Sequence, residues 1–303
     1  AEFCPKYHYF KINGVQQYSQ LVWRDNCDRN PLFPQGGTWV YDRSNWCPGA
    51  EVWTYDFELT PFVTPGTTNT LDHDVQAYSH TGGWDYYQIE DQLVTYGAPN
   101  FTTDAAIVDI LSPSADKMWL RYNPICTNPV VRIKNTGSDT LTSLTFTYGL
   151  DGAVPSVFTW TGSLPFDKTL DVTLDNFNWA NGATKFTVTI SNPNGATDQY
   201  SFNNTKTTPY TYAPVFPETF VIELKTNHYG WENSYNLNDA SRTIVFSRSA
   251  LVNDSIYRDT LTLPDGCYEF ELIDTGEDGL NFWANPDAGG GLFRFRKADS
   301  PGV

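Results

Sequence analysis

The sequence predicts an all-β protein, and three observations carry that prediction. Aromatic residues make up 16% of the 303 residues, and Thr and Asn are abundant; aromatic and β-branched side chains pack well on pleated sheets. Short stretches of alternating apolar and polar residues recur between turns rich in Gly, Pro and Asn. The Ala-, Leu- and Lys-rich composition of helical proteins is missing, and Met occurs once. A β-sandwich architecture is therefore expected throughout.

Residues 1–105, the first unit, are expected to form a jelly-roll sandwich. This unit is dense in Trp and Tyr, and turn clusters such as "FPQGG" and "TPGTTN" separate its short apolar stretches. Short strands at such spacing are typical of sandwiches and jelly rolls. The alternating stretch "GWDYYQIEDQLVTYG", residues 83–97, is predicted to be a closing strand.

Residues 106–215, the second unit, and residues 216–303, the third unit, are also predicted to be β-structured. The second unit contains about seven alternating strands, which is typical of an immunoglobulin-like sandwich. A proline-bearing linker, "YAPVFPE", precedes the third unit, which we expect to be a small β-sandwich. The apolar positions that alternate in the two units are Leu144, Phe146, Tyr148, Phe186, Val188, Ile190, Phe220, Ile222, Leu224, Tyr268, Phe270 and Leu272.

The charge balance excludes some classes of partner. The formal net charge is −16, from 35 acidic and 19 basic residues, and the chain has no basic stripe for nucleic acid. The same excess disfavours binding to anionic membranes, and no apolar stretch of about 18 residues is present for membrane insertion. An acidic surface suits an extracellular protein or one that supplies oxygen ligands to Ca²⁺.

Five cysteines stand at positions 4, 27, 47, 126 and 267. None forms a CxxC pair, so a zinc site is not expected, and the wide spacing favours disulfides in an oxidising compartment. We therefore expect a secreted or cell-surface protein. Cys126 and Cys267 fall in different units, and we expect them to be free thiols or not bonded to each other.

Common catalytic motifs are absent from the sequence, and one loop contains candidate binding residues. The chain has no GxSxG, HExxH, P-loop or GxGxxG motif, and His73, between two Asp residues, is interpreted as part of a solvated loop. The stretch "YDRSNWCPG", residues 41–49, combines a guanidinium suited to carbonyl or carboxylate oxygens, Arg43, with a flat apolar face, Trp46. A Cys27–Cys47 disulfide would fix this loop, although a stapled turn with a core Trp would give the same pattern.

The stretch "AEFCPKYHYFKINGVQQYSQLVWRDNCDRNPLFPQGGTWVYDRSNWCPG", residues 1–49, resembles the C-terminal half of the peptide-N-glycosidase F family of secreted bacterial amidases. The similarity extends to about residue 100. Members of that family remove N-linked glycans from glycoproteins and contain two jelly rolls packed side by side. The resemblance implies that Glu2 and Arg43 are catalytic, that Phe3 and Trp46 bind substrate, and that Trp46 adjoins the family's second disulfide, here Cys27–Cys47.

The resemblance also implies a missing part. The family's principal catalytic Asp belongs to the first jelly roll, which this sequence does not contain, and the family partner of Cys4 would stand just before Ala1. We therefore expect a chain that is inactive alone and has an upstream domain and a glycoprotein or glycan as partners. The resemblance implies no metal for the hydrolytic step.

Two other functions are compatible with the same fold. The first unit can be a non-catalytic scaffold in a cell-surface adhesin or structural component. The other two units favour this function, because they resemble modules that present a protein at the cell surface. Copper-dependent peptidylglycine hydroxylases share the paired jelly rolls, but the chain lacks the HxH and Met ligand pattern that copper requires there.

The third unit contains a predicted cation site. "NHYGWENSYNL" and "LPDGCYEFELIDTGEDGLNFWANPD" resemble a small β-domain appended to secreted bacterial proteins. Several oxygens fall within eight residues, a density that suits Ca²⁺, although an acidic turn without metal would look the same. The candidate ligands of this structural calcium are Asp274, Glu277, Asp278 and Asn281.

Three short stretches, "DTL", "DSI" and "DTL", resemble the Asp-Ser/Thr-aliphatic sequences that some bacteria O-glycosylate on surface proteins. They predict modification sites at Thr140, Ser255 and Thr260.

Overall fold

A computed structural model describes residues 4–27, 30, 39–79, 87–175, 177–276, 278–282 and 285–298. These residues confirm the all-β prediction, because their only helices are short 3-10 turns. The strands are β1 Lys6–Ile12, β2 Val15–Val22, β3 Leu71–Val75, β4 Ala105–Ser112, β5 Val130–Asn135, β6 Leu141–Leu150, β7 Ser156–Leu164, β8 Thr169–Thr173, β9 Lys185–Ser191, β10 Thr205–Pro209, β11 Thr219–Lys225, β12 Asn233–Asp239, β13 Ile244–Arg248, β14 Ile256–Thr262, β15 Tyr268–Asp274 and β16 Leu292–Lys297. The 3-10 turns are Thr60–Phe62, Leu120–Tyr122, Pro193–Gly195, Ser201–Asn203, Gly230–Glu232 and Pro286–Ala288.

The first unit contains an antiparallel sheet in the order β2-β1-β3. Asn13 and Gly14 join β1 to β2 with φ of 50° and 79°, the left-handed backbone that tight hairpin turns require. The predicted closing strand is wrong for its described part, residues 87–97, which form no strand. Leu93 and Val94 are 69% and 73% exposed there. Alternation alone does not make a strand, because the backbone must also pair with a neighbouring edge.

The second unit contains seven strands in two sheets, β4-β5-β8 and β10-β9-β6-β7. The alternating apolar side chains of β6 and β9 all point into the core between these sheets, with no more than 1% of any exposed. Alternation therefore identified the buried face of both strands. Assignment of this sandwich to the immunoglobulin-like class stays a prediction.

The third unit contains six strands in two sheets, β14-β11-β16 and β13-β12-β15. Ile222, Leu224 and Tyr235 are fully buried and centre its core. Leu272 departs from the predicted pattern, since it is 36% exposed near the end of β15.

Two buried carboxylates in the third unit are held by arginines. Three ion pairs surround the Glu223 carboxylate on β11, whose partners are Arg258, Arg294 and Arg296. The Asp259 carboxylate on β14 accepts hydrogen bonds from the Tyr235 hydroxyl and from Arg248, whose Nε lies 2.6 Å from Oδ2. Buried carboxylates need such partners because an uncompensated charge is costly away from water.

The units contact each other covalently and through aromatic rings. Cys126 and Cys267 form a disulfide with a Cα–Cα distance of 5.6 Å, so the expectation that they are unpaired is wrong. The chain brings the segment before β5 against the start of β15, which spacing in the sequence does not reveal. Trp39 of the first unit packs on Phe282 of the third, with ring centroids 6.1 Å apart. Phe282 therefore lies against the first unit.

Among the helices of the described ranges, none has the length and apolar character needed to cross a membrane.

Candidate functional site

The loop that follows β2 is fixed at two points. Arg24 and Arg43 exchange both backbone hydrogen bonds, with N–O distances of 2.7 and 3.0 Å, as residues paired in an antiparallel bridge do. Cys27 and Cys47 form a disulfide with an S–S distance of 2.08 Å. We call residues 39–53 the tryptophan loop. The bridge and the disulfide together anchor it beside the end of β2.

Two arginines lie under two tryptophans in this loop. The Arg43 guanidinium carbon is 5.0 Å from the Trp46 ring centroid, and that of Arg24 is 4.5 Å from the Trp53 centroid. Arg43 and Arg24 are only 3% and 2% exposed, whereas Trp46 and Trp53 are 39% and 38% exposed. Each cation therefore holds the inner face of a ring by cation–π attraction, and part of each indole stays accessible to a ligand.

Asn45 connects the two tryptophans. Its backbone is left-handed, with φ of 64°, and its N–H donates to the Arg43 carbonyl oxygen at 3.0 Å. Its side-chain Nδ2 donates to the Trp53 carbonyl oxygen at 2.8 Å, and its Oδ1 accepts from the Tyr55 hydroxyl at 2.8 Å. The turn that carries Trp46 is thereby tied to the segment that carries Trp53.

The other two residues that the resemblance assigns to the site, Glu2 and Phe3, lie outside the described residues. Cys4 is an exposed free thiol. The Ser44 hydroxyl donates to the Cys4 carbonyl oxygen at 3.3 Å, so the tryptophan loop contacts the chain just after these residues.

Arg24 and Trp53 were not among the predicted site residues. A signal was present in the spacing, because Arg24 precedes Cys27 by three residues and Arg43 precedes Cys47 by four. Two arginines at similar distances before two bonded cysteines are brought close together by the disulfide, as the Arg24–Arg43 bridge shows.

The interpretation of His73 as part of a solvated loop is wrong. His73 lies in β3 with its side chain 17% exposed. Its Nδ1 is 3.0 Å from Asp91 Oδ1 and its Nε2 is 3.0 Å from His8 Nδ1. Burial, together with the nearby His73, lowers the pKa of His8. The β1–β3 pairing brings the two imidazoles together.

The third unit brings together three carboxylates, which we call the carboxylate cluster: Glu232, Asp274 and Asp278. One oxygen from each lies within 4.8 Å of the others. Glu232 ends the Gly230–Glu232 turn before β12, and Asp274 ends β15, which pairs with β12. The strand pairing therefore places residues far apart in sequence at one end of the sheet.

The backbone at Gly276 and Gly279 is adapted to this cluster. Asp274 Oδ1 accepts from the Gly276 N–H at 3.2 Å, and Asp274 Oδ2 accepts from the Gly279 N–H. A Cβ at Gly276 would lie 2.5 Å from Glu232 Oε2, so a larger residue at this position would push the Glu232 carboxylate aside.

Two buried carboxylate oxygens of the cluster have no hydrogen-bond partner among the described residues: Glu232 Oε1 and Asp278 Oδ1. Glu232 is 7% exposed. Burial, reinforced by the charges of Asp274 and Asp278, raises the pKa of Glu232 to about 7. Burial and Asp274 raise the pKa of Asp278 as well. Such an arrangement suits a bound cation.

The structure thus brings two of the four predicted calcium ligands, Asp274 and Asp278, into one cluster and adds Glu232. Glu277 lies outside the described residues. Asn281 is exposed, and its role as a calcium ligand stays a prediction. Glu232 was missed although it stands in the "NHYGWENSYNL" motif, because ligands were sought within one continuous stretch.

The predicted modification sites differ in accessibility. Thr140 and Thr260 are exposed, the latter on the edge strand β14. Ser255 is half-buried, and its hydroxyl donates to the Asn253 carbonyl oxygen at 3.0 Å. Modification of all three sites stays a prediction.

A sequence model of the family described as Peptide-N-glycosidase F, C terminal, matches residues 1–89. This finding supports the resemblance of the first unit to that family. No curated protein and no solved structure matches the chain. The match includes the whole tryptophan loop and leaves out the second and third units.

Proposed function

We propose that the first unit recognises N-linked glycoproteins as the C-terminal half of an extracellular amidase similar to peptide-N-glycosidase F. One observation carries the proposal: inside the matched residues 1–89, a half-exposed Trp46 lies over the buried Arg43 beside the Cys27–Cys47 disulfide. Aromatic faces of this kind stack on sugars, and a guanidinium beneath them is suited to an amide oxygen. The two disulfides agree with an oxidising, extracellular location.

The proposed reaction is hydrolysis of the side-chain amide of a glycosylated asparagine. Water adds to the amide carbon, the C–N bond breaks, the asparagine becomes aspartate and the glycan leaves as a glycosylamine. Arg43 would stabilise the oxygen that gains negative charge, and Glu2 would orient the water or the amide. Trp46 and Phe3 would hold the sugar. The reaction also needs a second catalytic carboxyl group besides that of Glu2, and the proposal assigns it to another jelly roll. The 303 residues alone are therefore expected to bind the glycoprotein without cleaving it.

Binding tests the recognition half of this proposal. An N-glycopeptide and the same peptide without glycan are titrated against the chain, with binding followed by calorimetry. We expect a preference for the glycopeptide that Trp46→Ala weakens by about tenfold, equal to about 1.4 kcal/mol. Phe202→Ala, which removes an aromatic ring that is 89% exposed in the second unit, is the control. Equal affinity for both peptides would refute glycan recognition.

Release of glycan tests the catalytic half. In a longer form of the protein that carries both jelly rolls, mass spectrometry follows conversion of the glycosylated asparagine to aspartate. Glu2→Gln and Arg43→Lys are expected to slow this conversion by about 100-fold or more. Unchanged rates in both variants would rule out the assigned roles.

A non-catalytic scaffold in a cell-surface adhesin is the second candidate. The 3% exposure of Arg43 favours it, because a guanidinium that is almost fully covered has little surface left to contact a substrate amide. Glycopeptide binding that persists in the longer protein without any glycan release would select this function over the amidase.

A further inference from the structure

We propose that a single Ca²⁺ binds between Glu232, Asp274 and Asp278 and fixes the backbone at Gly276 and Gly279 of the third unit. Six to eight oxygens normally surround Ca²⁺, supplied by carboxylates, carbonyls and water. Three carboxylates converge here with one oxygen from each within 4.8 Å of the others. Strand pairing between β12 and β15 holds this group together.

The state of Glu232 distinguishes this cluster from an ordinary acidic surface. Its side chain is more than nine-tenths buried, yet its Oε1 has no hydrogen-bond partner in the part of the chain that the structure describes. Burying a carboxylate without a partner is costly, and the neighbouring Asp274 and Asp278 add like-charge repulsion. A divalent cation bound to all three oxygens would remove both costs.

The side chain of the neighbouring Asn233 gives a second indication that this is a ligand-binding site. Asn233 stands next to Glu232 and opposite Asp274 in the register of β12 and β15. It is 2% exposed, and no described residue forms a hydrogen bond with its Oδ1. Its Nδ2 donates to Asp274 Oδ1 at 3.3 Å and so orients that carboxylate. The absence of a side chain at Gly276 lets the turn close over Glu232.

The proposed ion also affects how the units fit together. The turn that carries Asp278 continues to Phe282, which packs on Trp39 of the first unit. Fixing the turn would therefore fix Phe282 in its contact, and Ca²⁺ would stabilise the packing of the third unit against the first.

Calorimetric titration of the complete 303-residue chain with CaCl₂ after EDTA treatment tests the proposal. We expect one site with a dissociation constant of about 10⁻⁴–10⁻³ M, the range of extracellular calcium modules. Saturating Ca²⁺ should raise the melting temperature and slow amide hydrogen exchange in residues 274–282. It should also slow exchange around Trp39.

Two variants make the test specific. Glu232→Gln and Asp278→Asn should each weaken Ca²⁺ binding by at least about tenfold. Without Ca²⁺ they should be as stable as the parent or more so, because each removes a repelling charge. Glu269→Gln, an exposed carboxylate on β15, is the matched control and should bind normally. Absence of Ca²⁺ binding to the parent chain, or normal binding by both cluster variants, would overturn the proposal, and equal stabilisation by Mg²⁺ would overturn the assignment to Ca²⁺.

Discussion

Asp259 is expected to be a sensitive charged position in the third unit. Its carboxylate, with 8% of the side chain exposed, accepts hydrogen bonds from Tyr235 and Arg248 at once. Asp259→Asn places an amide N–H₂ where two donors point and leaves Arg248 without its counterion. Breaking a buried pair by removing one partner costs about 3–5 kcal/mol. Because Arg248 is about one-third exposed and water can replace part of the loss, we expect the lower end, about 3 kcal/mol.

Tyr235→Phe provides the comparison. The hydroxyl belongs to a fully buried side chain, and its removal takes away one of the donors to Asp259. Since Arg248 still holds the carboxylate, the expected cost is about 1–2 kcal/mol. The order of the two variants, with Asp259→Asn the more destabilising, therefore follows from the geometry.

The assay for this prediction must be local, because a chain of several units does not unfold in one step. Amide hydrogen exchange measured by mass spectrometry reports the opening free energy of β11 and β12 directly. Asp265→Asn, an exposed carboxylate of the third unit, is the control and should leave the exchange rates unchanged. A smaller loss of protection in Asp259→Asn than in Tyr235→Phe would refute the reasoning.

Three further predictions concern the third unit and its attachment. Replacing Cys126 and Cys267 by serine should destabilise the packing of the third unit by about 2–4 kcal/mol, and unchanged denaturant midpoints for its transition would contradict this. Trp39→Ala should speed hydrogen exchange in residues 280–282 without changing β11; equal exchange there would show that the ring contact contributes nothing. Hydrogen bonding from Arg258 is the main cause that lowers the pKa of Glu223 from 4.5 to about 2. The stability that this carboxylate contributes is therefore present above about pH 4.5 and lost as the pH falls toward 2. Glu223→Gln should remove that part of the acid dependence measured by circular dichroism, and an identical acid profile would refute it.

Local pattern was enough to predict the cores of the second and third units. In β6, β9 and β11 the alternating apolar side chains are buried, because each strand lies in a sheet with one face on a core. The same pattern failed at residues 87–97, which form no strand with any described part of the chain. A two-residue period indicates which face would be buried but does not supply a partner strand.

Contacts between residues far apart in the chain could not be predicted from the sequence. Cys126 and Cys267 are 141 residues apart, and nothing in either local sequence indicates the other. Glu232 joins Asp274 and Asp278 only because β12 pairs with β15, so a search for ligands in one stretch found two of the three cluster members. The contact between Arg43 and Trp46 lies within one short loop, and their roles in the site stay predictions. The pairing of Arg24 with Trp53 depends on the bridge to Arg43.

The Cys126–Cys267 disulfide changes how the molecule would carry mechanical load. If the two ends of the chain are pulled apart, tension passes from Cys126 across the sulfur bridge to Cys267 and bypasses everything between them. Strands β5 to β14 lie within that bypassed loop, and so does the proline-bearing linker. Of the described strands in the second and third units, β4, β15 and β16 lie outside the loop that the disulfide closes, and these strands would carry the tension. A proteolytic cut in the linker would likewise leave the two units joined until the disulfide is reduced.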